Sequence, residues 1–197
     1  MTDGRTATAS DLEPVADTLA GAFFDDPVWA WAFPDPEQRR KQHAALWGLL
    51  LEGSIGYGWV WTTAGHEAAT LWIPPDLPEL PDAQVERLEP LLDELLGDRA
   101  EIVLDVIEQF DATHPREEPH FYLSLLGTHP DHRGRGTGMD LLRQNVALVD
   151  ELHQPAYLES TNPANLDRYR SVGFEPIGDF DLPHGGPVVT RMWRDAR

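Results

Sequence analysis

The chain contains no cysteine, which excludes disulfides, thiolate metal sites and a cysteine nucleophile. It also lacks any window approaching the roughly 18 consecutive apolar residues that a membrane-spanning helix requires. Its first residues, Met1-Thr2-Asp3-Gly4-Arg5, carry no basic stretch followed by an apolar run, so no secretory leader is expected and the reading is a cytoplasmic protein. Positive charge is scarce: 15 Lys and Arg stand against 34 Asp and Glu, a formal net charge of -19. Such a surface repels nucleic-acid backbones and anionic lipid, so neither is an expected partner. The excess is uneven, with twelve acidic residues between Asp82 and Glu118 against Arg87, Arg99 and Arg116. Two readings stay open, the solvated faces of a helix pair or attraction for a cationic substrate.

A chain of 197 residues that is 41% hydrophobic is long enough to bury a core, and a single domain over 1–197 is expected. Ser10-Asp11-Leu12-Glu13 has capping-box spacing, and Leu12, Val15, Ala16 and Leu19 follow at helical period, predicting a first helix from Asp11 to Phe24. Asp35-Pro36 places a proline at a first helical position and predicts a second helix that carries Leu46, Leu49 and Leu50 inward and ends at Gly53 and Gly56. Tyr57–Thr62 and Ala68–Ile73 are aromatic and β-branched runs joined by a five-residue turn, a hairpin stopped by Pro74-Pro75. Helices near Ala83–Leu96 and Arg99–Phe110 break at Gly97. Phe121–Leu126 is apolar almost throughout, as suits a central strand buried on both faces. A helix from Gly138 to Leu152, a strand Ala156–Ser160, a helix from Pro163 and two strands around Phe174–Phe180 and Val188–Trp193 complete an α/β (α+β) pattern. The expectation is a mixed, mostly antiparallel sheet flanked by helices, with one strand-glycine loop-helix crossover.

That crossover, His129-Pro130-Asp131-His132-Arg133-Gly134-Arg135-Gly136-Thr137-Gly138, puts several backbone N–H groups at a helix N-terminus, where about half a positive charge is available to an anion. There is no Gly-Lys-Ser/Thr for a nucleoside triphosphate loop, and the spacing is not the dinucleotide G-x-G-x-x-G. The pattern that fits is Arg/Gln-x-x-Gly-x-Gly/Ala. With Leu125–Pro130 before it and Asn162-Pro163-Ala164…Tyr169…Gly173-Phe174 after it, the chain resembles the GNAT superfamily of N-acetyltransferases. Within that superfamily, Pro155–Ser160 and Ala22–Pro27 look similar to the puromycin N-acetyltransferase branch.

The resemblance implies acetyl-CoA as co-substrate. The amides of Arg133, Gly134, Arg135, Gly136, Thr137, Gly138 and Met139 would wrap its pyrophosphate, with the arginine side chains near the phosphates. Leu126, Gly127 and Thr128 would splay from the neighbouring strand and pair with the pantetheine arm, a strand amide polarising the thioester carbonyl. Asn162 or Asn165 would bond the cofactor further along. Tyr169 matches the family's general acid, the proton donor to the departing thiolate.

Glu159, at the end of a flanking strand, either takes the amine proton directly or through water, or caps the following loop. Asp25 and Asp26 either hold a cationic amine at the cleft rim or are surface charge. Trp29, Trp31 and Phe33 fall where the family builds its acceptor site, although each alone reads as core. His129 and His132 invite a metal reading, but Pro130 keeps them off a shared helical face, there is no third ligand, and no metal is expected. The expected activity is acetyl transfer to a primary amine of a small molecule, an antibiotic or an amine metabolite, by a monomer or homodimer. The rivals are acetylation of a peptide or protein amine, and a non-catalytic acyl-CoA-binding sensor module.

Overall fold

The structure, a computed structural model, describes residues 4–197; Met1 to Asp3, part of the segment read for a leader, lie outside the described residues. In chain order the elements are β1 (Gly4–Thr6), α1 (Leu12–Ala22), α2 (Pro27–Ala32), α3 (Arg39–Ser54), β2 (Val60–Thr63), β3 (Ala68–Ile73), α4 (Asp82–Leu96) and α5 (Ala100–Thr113). There follow β4 (Phe121–Thr128), α6 (Thr137–Glu151), β5 (Ala156–Ser160), α7 (Leu166–Arg170), β6 (Glu175–Asp181) and β7 (Val188–Arg194). The strands form one seven-stranded sheet in the order β1-β2-β3-β4-β5-β7-β6, antiparallel except where β4 runs parallel to β5. This is the mixed, mostly antiparallel architecture that the alternation of strands and helices predicts. No described helix is long and apolar enough to cross a membrane.

Two cores flank the sheet. On one face Val15 and Leu19 of α1, Trp47 and Leu51 of α3, and Val103 of α5 pack together; on the other Leu142, Val146 and Val149 of α6 meet Trp72, Phe121 and Leu158. The central strand serves both through a bulge. Leu71 is paired with Leu125 but Trp72 with Leu123, leaving Ser124 as an extra residue. Phe121 and Leu123 therefore face the α6 core, while Leu125, two residues on, packs against the α1 side. Without the bulge all three would share a face. Beyond it Gly127 faces α1, where a Cβ would stand 2.6 Å from that of Ala22. The chain ends are pinned by polar clamps. Gln144 exchanges two 2.9 Å hydrogen bonds with the backbone of Gly4, and buried Arg194 donates to both oxygens of Asp150 at 2.6 and 2.8 Å.

Several local expectations are corrected. The residue reaching back at the start of α1 is Asp11, whose carboxylate accepts from the N–H and hydroxyl of Thr8 at 2.8 Å; the box is Thr8–Asp11, two residues earlier than the Ser10–Glu13 spacing suggests. The stretch between the first two expected helices is itself helical: Pro27 takes the first position of α2, and Asp26 caps it by accepting from the N–H groups of Val28 and Trp29 at 3.0 and 3.3 Å. Asp35 opens only a turn, and α3 begins at Arg39. Gly53 sits inside α3, and Gly58, at φ 72°, ends the turn that follows it. β1 was not foreseen, because three residues carry no periodicity.

Candidate active site

β4 and β5 pair at only two positions, Phe121 with Ala156 and Tyr122 with Tyr157. β4 then runs on to Thr128 and β5 to Ser160 without further pairing between them. The strands therefore part after Tyr122, so the free edge begins at Leu123, three residues before the Leu126–Thr128 segment expected to splay. Between the strands lies a V-shaped slot with unpaired strand edges.

The glycine loop stands at the mouth of this slot. Gly134 and Gly136 have φ of 78° and 81°, the left-handed region that side chains with a Cβ resist. Gly136 is the N-cap of α6, and the first intrahelical bond runs from Asp140 N–H to its carbonyl at 2.9 Å. The amides of Thr137, Gly138 and Met139 precede that bond and are free for an anion. Gly138 lies against Thr128, whose hydroxyl a Cβ would strike. These groups fit a pyrophosphate. Arg133 does not sit where the resemblance puts it: its guanidinium donates to the Ala22 carbonyl at 2.8 Å and tethers the C-terminus of α1. Arg135 is exposed and 3.4 Å from His132.

The slot opens into a cavity of about 820 Å³ between the α-helical layer and the strand ends. Six carboxylate residues line it, Asp76, Glu79, Asp111, Glu117, Glu118 and Glu159, against Arg116, which is bonded to Asp111. The Glu159 side chain is 2% exposed, and neither of its oxygens has a hydrogen-bond partner among the described residues. The phenols of Tyr122 and Tyr157 stand near it; burial first, then the charge of Glu159, raises both. Glu79 reaches in from the proline-rich loop after β3 and accepts from the hydroxyl of Ser124, the bulge residue. Burial pushes its carboxyl up to about 7, against the pull of that hydroxyl, and Glu159 adds to the rise. His114, just past α5, brings Nδ1 to 3.8 Å from Glu159 Oε1. Its Nε2 lies 3.0 Å from Nε2 of His120, and burial lowers the His120 pKa.

Tyr169 of α7 lines the cavity and packs beneath Phe174 at 6.3 Å between ring centroids. Burial, then the charge of Asp26, raises its phenol. Asn165 lines the cavity, and its side chain accepts from Arg168 at 2.7 Å. Asn162 accepts from the Ala164 N–H at 3.0 Å, capping the turn that enters α7. Trp29 lines the cavity, whereas Phe33 is fully buried elsewhere and Trp31 lies under Gly186. Asp25 is exposed and outside the lining. Asp26 is buried, and its free oxygen accepts from Thr161, which ties α2 to the end of β5 at 2.8 Å. Burial raises its carboxyl. His129 and His132 pack edge to face at 5.8 Å, and the described residues hold no group of three or more potential ligands for a metal ion.

Glu79, Ser124, His114, His120, Tyr122 and Tyr157 escaped the sequence reading. Glu79 stands in a loop whose prolines give it no period, and the histidines lie in the connection between α5 and β4. Alternation along β4 could have flagged Tyr122, since a phenol on a strand otherwise apolar on both faces must open onto something polar.

No protein-family model matches the sequence. An uncharacterised N-acetyltransferase of Schizosaccharomyces pombe is 25% identical over 182 residues, covering 86% of this chain and 73% of the yeast protein. A Corynebacterium glutamicum structure described as histone acetyltransferase HPA2 and related acetyltransferase is superposable at a TM-score of 0.71, with 23% identity, covering 100% of this chain and 98% of the other. The polyamine N-acetyltransferase of Drosophila melanogaster, which forms N-acetylagmatine, gives 0.66 with 16% identity over 99% of this chain and all of the fly protein. Arylalkylamine N-acetyltransferase 2 of Aedes aegypti gives 0.61 with 12% identity and 99% coverage of both chains. The parted strands, the glycine loop and these superpositions agree that the chain has the fold of the GNAT N-acetyltransferases.

Proposed function

We propose that the chain is a single-domain, cytoplasmic, acetyl-CoA-dependent N-acetyltransferase whose acceptor is a small, cationic primary amine. The observation that carries this reading is the cavity at the foot of the slot, where among the described residues no lysine or arginine pairs with Glu79 or Glu159 and Glu159 faces only His114. Buried charges left unpaired are costly, and an ammonium group is the ligand that relieves them. Acetyltransferases that share the fold are described by their action on agmatine, arylalkylamines and polyamines, which supports a small-molecule amine here. A cavity walled by Trp29, Trp47, Phe110, Tyr122 and Tyr169 suits a compact acceptor better than an extended peptide backbone.

In this reading the loop amides of 134–139 hold the pyrophosphate, the Arg133 N–H being taken by the Pro130 carbonyl at 3.3 Å, and the free edge of β4 from Leu123 onward holds the pantetheine arm. Asn162 and Asn165 flank the same arm. An amide of the β4 edge polarises the thioester carbonyl. Glu159 attracts the ammonium group, which must lose a proton before attack. The neutral amine forms the C–N bond, the C–S bond breaks, and Tyr169, kept protonated by burial, gives its proton to the leaving sulfur.

The test is release of free thiol from acetyl-CoA by purified protein with polyamines, guanidino amines, arylalkylamines, aminonucleosides and a lysine peptide. Turnover with cationic amines is the expected result. Preference for aminonucleosides would favour the puromycin-like branch and a role in antibiotic resistance. Preference for the peptide would favour protein acetylation, and cofactor binding without thiol release for any acceptor would leave a sensor module.

A further inference from the structure

We infer that His114, rather than Glu159, is the group that removes the amine proton, and that His120 holds it in the competent tautomer. This rests on the acetyltransferase reading above. Nδ1 of His120 lies 2.7 Å from the backbone carbonyl of Glu118. A carbonyl oxygen only accepts, so that nitrogen carries hydrogen. Burial disfavours a second proton on the same ring, which leaves Nε2 of His120 with a bare lone pair. The two rings lie within 26° of coplanar with centroids 5.0 Å apart, and their Nε2 atoms meet edge to edge at 3.0 Å. One of those nitrogens must donate, and only His114 is left to do so. Its Nε2 bears the hydrogen, so in the neutral ring it is Nδ1 that offers the lone pair.

That lone pair faces Glu159 Oε1 at 3.8 Å, so two acceptors confront each other. An ammonium group placed against them donates one hydrogen to the carboxylate and another to the imidazole. In water an imidazole is a stronger base than a carboxylate by about two pK units. The proton therefore passes to His114 Nδ1, and Glu159 becomes the counter-ion of the imidazolium. The second proton of the amine nitrogen, released after attack, goes to the sulfur through Tyr169. Net acetyl transfer releases one proton, which leaves His114 through the cavity mouth; its side chain is 18% exposed. The ring is fixed by edge contacts with Tyr122 and Tyr157, at centroid distances of 4.8 and 4.9 Å. The titratable and charged groups around it are Glu159 and Tyr157 of β5, Tyr122 and His120 of β4 and its approach, Glu79 of the loop, and Arg191 of β7, which donates to the Thr113 carbonyl at 3.4 Å.

The test compares two acceptors of equal length, an alkylamine protonated at pH 7 and a β,β,β-trifluorinated amine already neutral there, in the parent, His114→Gln and Glu159→Gln. Loss of a general base costs about 10²–10⁴ in rate. His114→Gln should lose that much kcat/KM on the alkylamine and less than about tenfold on the neutral amine, with acetyl-CoA affinity unchanged. Imidazole ¹⁵N shifts of the parent should show His120 as the Nδ1–H form and His114 as the Nε2–H form. Equal losses on both acceptors, an unaltered rate, or a protonated Nδ1 on resting His114 overturns the proposal. Acceptor-selective loss in Glu159→Gln alone returns the base role to Glu159. A parent that acetylates no amine brings down the acetyltransferase reading itself.

Discussion

Replacing Glu79 by glutamine should stabilise the protein, and by an amount that depends on pH. The carboxyl rises from 4.5 to about 7 mainly through burial. Below pH 4.5 it is protonated in both states and costs nothing. As pH climbs toward 7 the unfolded chain releases the proton while the folded protein retains it, and above 7 the folded protein holds a buried charge. Stability is therefore lost across that window, reaching about 3 kcal/mol at pH 8. Glutamine keeps an acceptor for the Ser124 hydroxyl and carries no charge. For a chain of this size the variant should melt on the order of 5–10 °C above the parent at pH 8. The gap should shrink to less than half at pH 5.5. Scanning calorimetry at the two pH values reads both quantities. A dicationic amine should raise the parent's melting temperature, more at pH 8 than at 5.5, and should move the variant's less, since Glu159 alone then remains to hold it. A variant no more stable than the parent at pH 8, or a gap that ignores pH, would falsify the claim that the cavity holds an uncompensated carboxylate.

Tyr169→Phe should lower kcat by about 10²-fold or more with little change in the acceptor KM, measured by thiol release, because in the proposed mechanism the phenol acts only as the sulfur departs. Gly136→Val puts a β-branched residue at φ 81° in the anion cradle and should raise the acetyl-CoA KM at least about tenfold, an effect of 1.4 kcal/mol or more. Asp26→Ala removes both the cap of α2 and the tie to Thr161; chemical denaturation should show a loss of about 1–2 kcal/mol or somewhat more, with kcat affected less than stability.

The cradle and the central strand were legible in the sequence because each rests on local chemistry. Gly134 and Gly136 are demanded by backbone angles, and the apolar run of β4 by burial on both faces. The Asp26-Pro27 signal was equally local, yet it was passed over for Asp35-Pro36, which has the same two residues and opens only a turn. What separates them is tertiary: Asp26 is buried against Thr161, and Asp35 is exposed. The acceptor end of the site was the least legible part. Glu79, His114 and Glu159 are separated by 35 and 45 residues or more along the chain, and they converge only because the proline-rich loop, the end of α5 and β5 meet below the parted strands. Glu159 was visible as a strand-end carboxylate; its orphaned oxygens were not, since partner counts are a property of the assembled cavity.

The two-position pairing of β4 with β5 also has a mechanical meaning. Strands β1 to β4 and β5 to β7 are two stiff plates joined by a seam two residues wide, with α6, the Arg194–Asp150 clasp and the Asp26–Thr161 tie among the braces. A slender molecule lying in the notch acts as a wedge and a splint together, bonding to the edge that the neighbouring strand leaves bare. Stiffness across the middle of the sheet is then lent by the occupant and returned on its departure, and the backbone amides from Leu123 to Thr128 are where amide exchange would record each loan.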